Sequence, residues 1–218
     1  MKLRVADAAT ARKQLAKLGA KPVPSDIAGR SGRLHEMNIL FDTPDGGFAR
    51  HGQLLRIRTE SSPNAGTKSD RRAVLTYKGP AERHESSRYK VREEREVVVA
   101  DAEAMQTILE ALGLRGWFRY EKFRTTLAMP GSARWAAGLH LELDETPIGT
   151  FLEIEGPASA IDRAAHMLGF SPREYVTKSY LALHVDSCRG RGVNVPQLAP
   201  GIVTGIPDMV FPHSKSKK

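Results

Sequence analysis

Leu139-His140-Leu141-Glu142-Leu143-Asp144, a turn at Thr146-Pro147, then Thr150-Phe151-Leu152-Glu153-Ile154-Glu155: this stretch decides the fold. Neighbouring side chains on a β-strand point to opposite faces, so residues two apart share a face. His140, Glu142 and Asp144 therefore lie opposite Leu139, Leu141 and Leu143, and Glu153 and Glu155 lie opposite Leu152 and Ile154. The same plan recurs along the chain. Arg56 and Arg58 oppose Leu55 and Ile57; Lys78 lies with Thr76 and Val74 opposite Leu75 and Tyr77. Arg92, Glu94 and Glu96 fall together, and Lys122 and Arg124 oppose Phe123. One such strand alone reads as a sheet with a solvated face. The set reads differently, because the polar face keeps returning to Arg, Lys, Asp and Glu and is sorted by sign. Arg56, Arg58, Lys78, Lys122 and Arg124 are basic; Glu94, Glu96, Asp144, Glu153 and Glu155 are acidic. If the sheet closes with these faces inward, its lumen has a basic wall and an acidic wall.

Eight strand segments are expected: residues 2–5, 34–41, 54–59, 72–78, 88–99, 117–127, 139–144 and 150–155. Turn chemistry separates several of them, notably Pro44-Asp45-Gly46-Gly47 and Gly79-Pro80. Eight strands can close into a barrel. Helices interrupt them. Asp7 caps one that ends at Gly19, Asp101 caps one that Gly113 ends, and Pro157 opens a third. Another begins near Ser171 or Thr177 and runs through His184. The expected architecture is α+β: a closed eight-stranded antiparallel β-barrel with flanking helices over residues 1–186, then a weakly ordered basic tail over 187–218.

The 218 residues suit one sizeable domain, and a net charge of +8 favours anionic partners. Cys188 is the single cysteine, so neither an internal disulfide nor a cysteine zinc site can form. No apolar run approaches the ~20 residues that cross a bilayer, and the reading is of a soluble, cytoplasmic chain with no membrane partner. The tail could touch nucleic acid, but a solvated tail is the better default. No Gly-x-Ser-x-Gly elbow supports a serine hydrolase, and Gly29-Arg30-Ser31-Gly32 is not a phosphate-binding P-loop. Arg and Lys on one wall donate charge-assisted hydrogen bonds to phosphate oxygens. Carboxylates on the other bind Mg²⁺ or Mn²⁺, which bridge to substrate phosphates. A triphosphate suits such a lumen.

Ordered motifs carry a resemblance. They are Asn38-Ile39-Leu40-Phe41-Asp42-Thr43, Leu54-Leu55-Arg56-Ile57-Arg58, Leu75-Thr76-Tyr77-Lys78-Gly79-Pro80 and Arg92-Glu93-Glu94-Arg95-Glu96. Lys122-Phe123-Arg124, Leu143-Asp144-Glu145 with Gly149 to Glu155, and Lys178-Ser179-Tyr180 complete the set. The chain resembles the CYTH family of triphosphate tunnel metalloenzymes, which includes class IV adenylyl cyclases, thiamine triphosphatases and inorganic triphosphatases. The resemblance implies that Lys2, Arg56, Arg58, Lys78, Lys122, Arg124 and Lys178 bind phosphates, Lys178 from over a tunnel mouth. It implies that Asp144, Glu153 and Glu155 hold Mg²⁺ or Mn²⁺, and that Glu94, Glu96 and Lys78 are catalytic, the two Glu near a second metal or a positioned water. The expected substrate is ATP, thiamine triphosphate or tripolyphosphate, and hydrolysis is the favoured reaction. Cyclisation of ATP to cyclic AMP and pyrophosphate, or binding without turnover, are the alternatives. One departure stands out. The family's first strand carries Glu-x-Glu-x-Lys; Lys2 matches the Lys, but only Met1 precedes it. The favoured expectation is that the Glu pair lies upstream of this start; the alternative is that the protein lacks part of its metal site.

Overall fold

The computed structural model describes residues 1–24, 26, 27, 29, 31–63, 71–81, 91–199, 202, 203 and 205–212. Its elements are β1 (Lys2–Val5), α1 (Ala8–Leu18), β2 (Lys21–Pro22), β3 (Arg33–Asp42), α2 (Gly47–Arg50), β4 (Leu54–Ser61), β5 (Arg71–Lys78) and β6 (Glu94–Val99). Then come α3 (Ala102–Ala111), β7 (Arg115–Ala128), β8 (His140–Thr146), β9 (Gly149–Glu155), α4 (Ala158–Met167), β10 (Tyr175–Val176), α5 (Tyr180–Gly190), β11 (Gln197–Ala199) and β12 (Ile202–Val203). The eight expected strands are β1 and β3 to β9. β2 and β10 are two-residue additions. The strand expected over 88–99 begins at Glu94; residues 88–90 lie outside the described residues. The last helix starts later than Ser171 or Thr177. A 3₁₀ turn and β10 intervene, and Ser179 caps α5 by accepting from the Ala182 N–H.

All pairings of the main sheet are antiparallel, in the order β10-β1-β9-β8-β7-β3-β4-β5-β6, with β2 on β7. The helices flank it. Asp7 accepts from the Thr10 N–H at the start of α1, and Gly19 ends that helix at φ 90°, a conformation a side chain would strain. Ala11 and Leu15 of α1 and Ala160, Ile161, Ala164 and Ala165 of α4 pack against Leu3, Leu141, Leu143, Leu152 and Ile154. These are the apolar sides of the alternating strands. Burying each Leu or Ile contributes about 1.5–3 kcal/mol, which fixes which face turns outward to the helices. α3 covers Phe41 and Ile57 in the same way through Leu109.

The opposite face is turned inward. Burial lowers the pKa of Arg92, just before β6, and the charges around it include Glu94 and Arg56 but also Glu155 on β9. The two flanks of the sheet thus approach one another, and the sheet curls around its charged face. The described ladder ends on β6 and β10. One end of the concavity is filled. Leu40, Phe118, Tyr120 and Phe151 meet Tyr180, Val185 and Cys188 of α5, and Val195, Ile206 and Met209 beyond it. The anchor is backbone pairing. β7 has 14 residues but β8 has 7 and covers only its C-terminal part. The free edge at Arg119 to Glu121 is taken by Met209: the Glu121 N–H donates to the Met209 carbonyl (2.8 Å) and the Met209 N–H to the Arg119 carbonyl (2.9 Å). Among the described residues, no helix is long and apolar enough to cross a membrane.

Candidate active site

Strand register settles which candidate residues share a face. Lys2 lies opposite Glu153, Glu153 opposite Glu142, and His140 opposite Glu155. Asp144 lies opposite Arg124, and Lys122 opposite Glu36. Asn38 faces Arg58, Arg56 faces Thr76, Thr76 faces Glu96 and Lys78 faces Glu94. Every sequence-predicted site residue except Lys178 therefore lies on the inner face. Lys178 is exposed just before α5 and pairs with Asp186 at 2.7 Å. Its ammonium pairs with a residue of the following helix rather than with the strands.

Two centres organise the face. In the first, Arg124 reaches four carboxylates: Asp144, bidentately at 2.8 and 2.7 Å, Glu142, Glu153 and Glu36. Lys122 donates to Asp144 at 2.9 Å and pairs with Glu36 at 3.3 Å, and Lys2 pairs with Glu153 at 3.1 Å. Tyr180 completes it from α5. Its hydroxyl donates to Asp144 Oδ2 at 2.7 Å, and the Nζ atoms of Lys2 and Lys122 lie 5.0 and 5.3 Å from its ring centroid. The second centre is more open. Arg56 donates to the Tyr120 hydroxyl and Thr76 Oγ1, each at 3.2 Å, while Arg58 pairs with Glu60 at 2.8 Å and Glu96 at 3.4 Å. Lys78 donates to Glu94 at 2.7 Å.

Two walls of opposite sign are not what forms. Because β7 sits between β3 and β8, basic Lys122 and Arg124 separate acidic β8 and β9 from Glu36, and β4 and β5 follow before acidic β6. The charges run in alternating stripes: Lys2, Lys78, Lys122 and Arg124 each find a carboxylate on the adjacent strand, whereas Arg58 pairs with Glu60 on its own strand and both Arg56 and Arg58 reach Glu96 across β5. Glu36, Asn38, Glu60, Tyr120 and Tyr180 are members to which the sequence gives no site role, and Glu142 is placed on the charged face by alternation without one. The alternation rule applied to Glu36-Met37-Asn38-Ile39 reveals the first two; the apolar bulk of β3 hides them. Tyr180 belongs to the Lys178-Ser179-Tyr180 motif, but it arrives from a distant helix, so strand alternation does not place it on this face.

The electrostatics follow from burial against compensation. Glu36 is 1% exposed. Burial pushes its pKa up, but Lys122, Arg124, Arg58 and Arg56 outweigh that and hold it at about 2. Burial penalises Lys122 and Arg124, yet Asp144 and the glutamates keep both pKa values raised. Burial also raises Tyr180 well above its ordinary value, with Asp144 and Glu153 adding to it. Glu142 and Glu153 face each other as like charges. Burial lifts Glu142 to about 7 with Glu153 contributing, whereas Arg124 and Lys2 hold Glu153 down.

Glu36 supplies a pH prediction. Its folded pKa is about 2 against an ordinary 4.5, so its stabilisation is present above about pH 4.5 and is lost as pH falls toward 2. The shift corresponds to about 3 kcal/mol. Glu36→Gln should lose stability of that order at pH 7 and show a flatter decline between pH 5 and 2 than the parent. Urea unfolding across that range checks it; parallel curves for the two proteins would refute it.

A divalent metal can be tested against these residues. Among the described residues, no three acidic, histidine or cysteine side chains form a ready metal cage. Asp144 is saturated by Lys122, Arg124 and Tyr180. Glu153 and Glu155 remain on the inner face beside Glu142, a carboxylate that burial pushes up to about 7 although Arg124 pairs with it. Hard carboxylate oxygens in that number fit Mg²⁺ or Mn²⁺, which take one or two carboxylates and complete their shell with water and substrate phosphates. Asn38 supports a polar occupant: it is fully buried, and neither amide atom has a partner among the described residues.

Several solved structures share the fold. The protein PH1819 from Pyrococcus horikoshii OT3 superposes with a TM-score of 0.65 at 21% identity, over 85% of this chain and 97% of that one. An adenylate cyclase candidate from Vibrio parahaemolyticus gives a TM-score of 0.62 at 16% identity, covering 84% and 94%. HpAC1 from Hippeastrum, an adenylyl cyclase candidate described with a dominant triphosphatase activity, gives 0.52 at 23%, covering 90% and 96%. No curated protein matches the sequence. The CYTH domain family model matches residues 2–179, nearly all of the sheet and helices described above, and the chain belongs to the CYTH domain family, whose members are triphosphatases or adenylate cyclases.

Proposed function

We propose that the chain hydrolyses a triphosphate on the inner face of its curled sheet, with Mg²⁺ or Mn²⁺. The observation that carries this is the gathering of Lys2, Arg56, Arg58, Lys78, Lys122 and Arg124 on one concave surface from four strands. Arg56, Arg58 and Lys78 belong to the more open centre and exchange their carboxylate partners for phosphate oxygens. Lys122 and Arg124 stay locked to Asp144 and brace the strands behind that centre. Glu153, Glu155 and Glu142 would hold the metal, which neutralises phosphate charge and orients the chain when bound. Glu94 and Glu96 flank the open centre. Burial acts to raise Glu96, but Arg58, Thr76 and Arg56 hold its pKa low, so it is an ionised acceptor able to orient a water. That water attacks the terminal phosphorus in line, the bond to the bridging oxygen breaks, and diphosphate and phosphate leave. Phosphoryl transfer of this kind needs positioning and charge neutralisation more than covalent chemistry.

The covered aromatic end favours hydrolysis over cyclisation. Phe118, Tyr120 and Phe151, the inner-face rings on which a base would stack, are packed under α5 and the C-terminal segment. Incubation of the full chain with tripolyphosphate or ATP and Mg²⁺ or Mn²⁺ tests the reading. Phosphate release is expected; cyclic AMP with pyrophosphate would replace it by cyclisation, and tight binding without product by a binding module. Glu153→Gln with Glu155→Gln should reduce metal-dependent release at least tenfold while the far-ultraviolet circular dichroism is kept. Undiminished turnover would remove both residues from the metal role.

A further inference from the structure

A second cationic cavity lies on the outer face, back to back with the Arg124–Asp144 pair. It measures about 300 Å³ and is lined by Arg12, Ser31, Arg33, Thr125 and Glu145. Thr125 and Glu145 each follow a residue of the inner centre, so strand alternation turns them the other way. The cavity is built from oriented groups. Glu145 Oε1 accepts from Arg12 Nη2 at 2.8 Å and from Arg33 Nε at 2.9 Å. The Arg33 guanidinium is fixed 3.9 Å over the Phe123 ring. Thr125 is 3% exposed, and its hydroxyl has no partner among the described residues.

The charge balance there selects the occupant. Two guanidiniums face one carboxylate, leaving one positive charge in excess. A guanidinium carries five N–H donors, and each bond described to Glu145 uses a single nitrogen. A buried hydroxyl without a partner adds a further donor to the same wall. Donors and positive charge exclude a metal ion, and the polar lining does not suit an apolar ligand. Arginine forks match the oxygen geometry of phosphate. We propose that this outer cavity is a binding site for a phosphate oxyanion, separate from the inner face. The proposal stands whether or not the chain is a triphosphatase.

The test uses the full chain titrated with inorganic phosphate and followed by amide chemical shifts. Arg56→Ala with Arg58→Ala weakens phosphate binding on the inner face. In that background, saturable shifts at Arg33, Thr125 and Glu145 should persist. Arg12→Gln with Arg33→Gln should weaken them at least tenfold. Thr125→Val, which keeps the shape and removes the hydroxyl, should weaken them several-fold and serves if the double variant does not fold. No shift at those three amides would overturn the proposal. So would shifts that the Thr125 and arginine variants leave unchanged. Repeating the titration with glycerol phosphate separates free phosphate from a phosphate ester: equal affinity identifies an esterified ligand as admissible, and binding of inorganic phosphate alone restricts the site to the free ion.

Discussion

Arg124→Gln is expected to destabilise the protein by about 3–5 kcal/mol, the loss usual when one partner of a buried ion pair is removed. Arg124 is the one cation that touches Glu36, Glu142, Asp144 and Glu153 together among the described contacts. Without it, Lys122 and Lys2 are the cations left in described contact with these four carboxylates, and the pKa values of those acids rise. An acid whose folded pKa lies above its unfolded value loses stability as pH increases through that interval. The deficit of the variant should therefore be larger at pH 8 than at pH 5. Urea unfolding at both values measures it. Adding Asp144→Asn to the variant removes one orphaned charge and should recover part of the loss. A deficit below about 1 kcal/mol, with no pH dependence, would show that the network is not what holds β7, β8 and β9 in place.

Lys78→Met separates chemistry from stability. The Lys78–Glu94 pair is partly exposed on both sides, 21% and 41%. Pairs of that kind contribute about 1 kcal/mol or less, so the fold should be barely affected. The effect on turnover should be far larger. Burial lowers the pKa of Lys78, with Arg56 beside it pressing the same way and Glu94 opposing. An ammonium held among other cations gains most from a polyanion that arrives between them. Removing one preorganised donor of this kind usually reduces rate by about 10²–10³. Steady-state kinetics with tripolyphosphate, beside urea unfolding, checks both halves. An unchanged kcat/KM would place Lys78 outside the phosphate path, whatever the fate of the fold.

Much of the site could be read from alternation, because strand periodicity is a local property. Arg56 with Arg58, Lys122 with Arg124, and Glu153 with Glu155 were each assigned to a common face by spacing alone, and the register agrees. Helix ends were legible for the same reason: Asp7, Asp101 and Gly19 act through backbone groups a few residues away. What failed was sorting by sign along the chain. It omitted Glu36, whose strand is mostly apolar, and it had no access to strand order, which inserts β7 between β3 and β8. Lys178 stands apart from the strands: its motif is present, and its ammonium pairs with Asp186 on the following helix.

The amino-acid sequence by itself determined which side chains share a strand face, where helices begin and stop, and that one face would be charged. Period-two alternation and capping depend only on neighbours in the chain, and so they are written locally. The tertiary structure decided which carboxylate each cation meets, since that depends on strands far apart in sequence lying side by side. It also decided that Tyr180 would lie under Lys2 and Lys122 while donating to Asp144. The place of the C-terminal segment was likewise a matter of tertiary fit. β8 is shorter than β7, and the unpaired edge at Arg119 to Glu121 accepts Met209, because a buried backbone amide left without a partner is too unfavourable to persist.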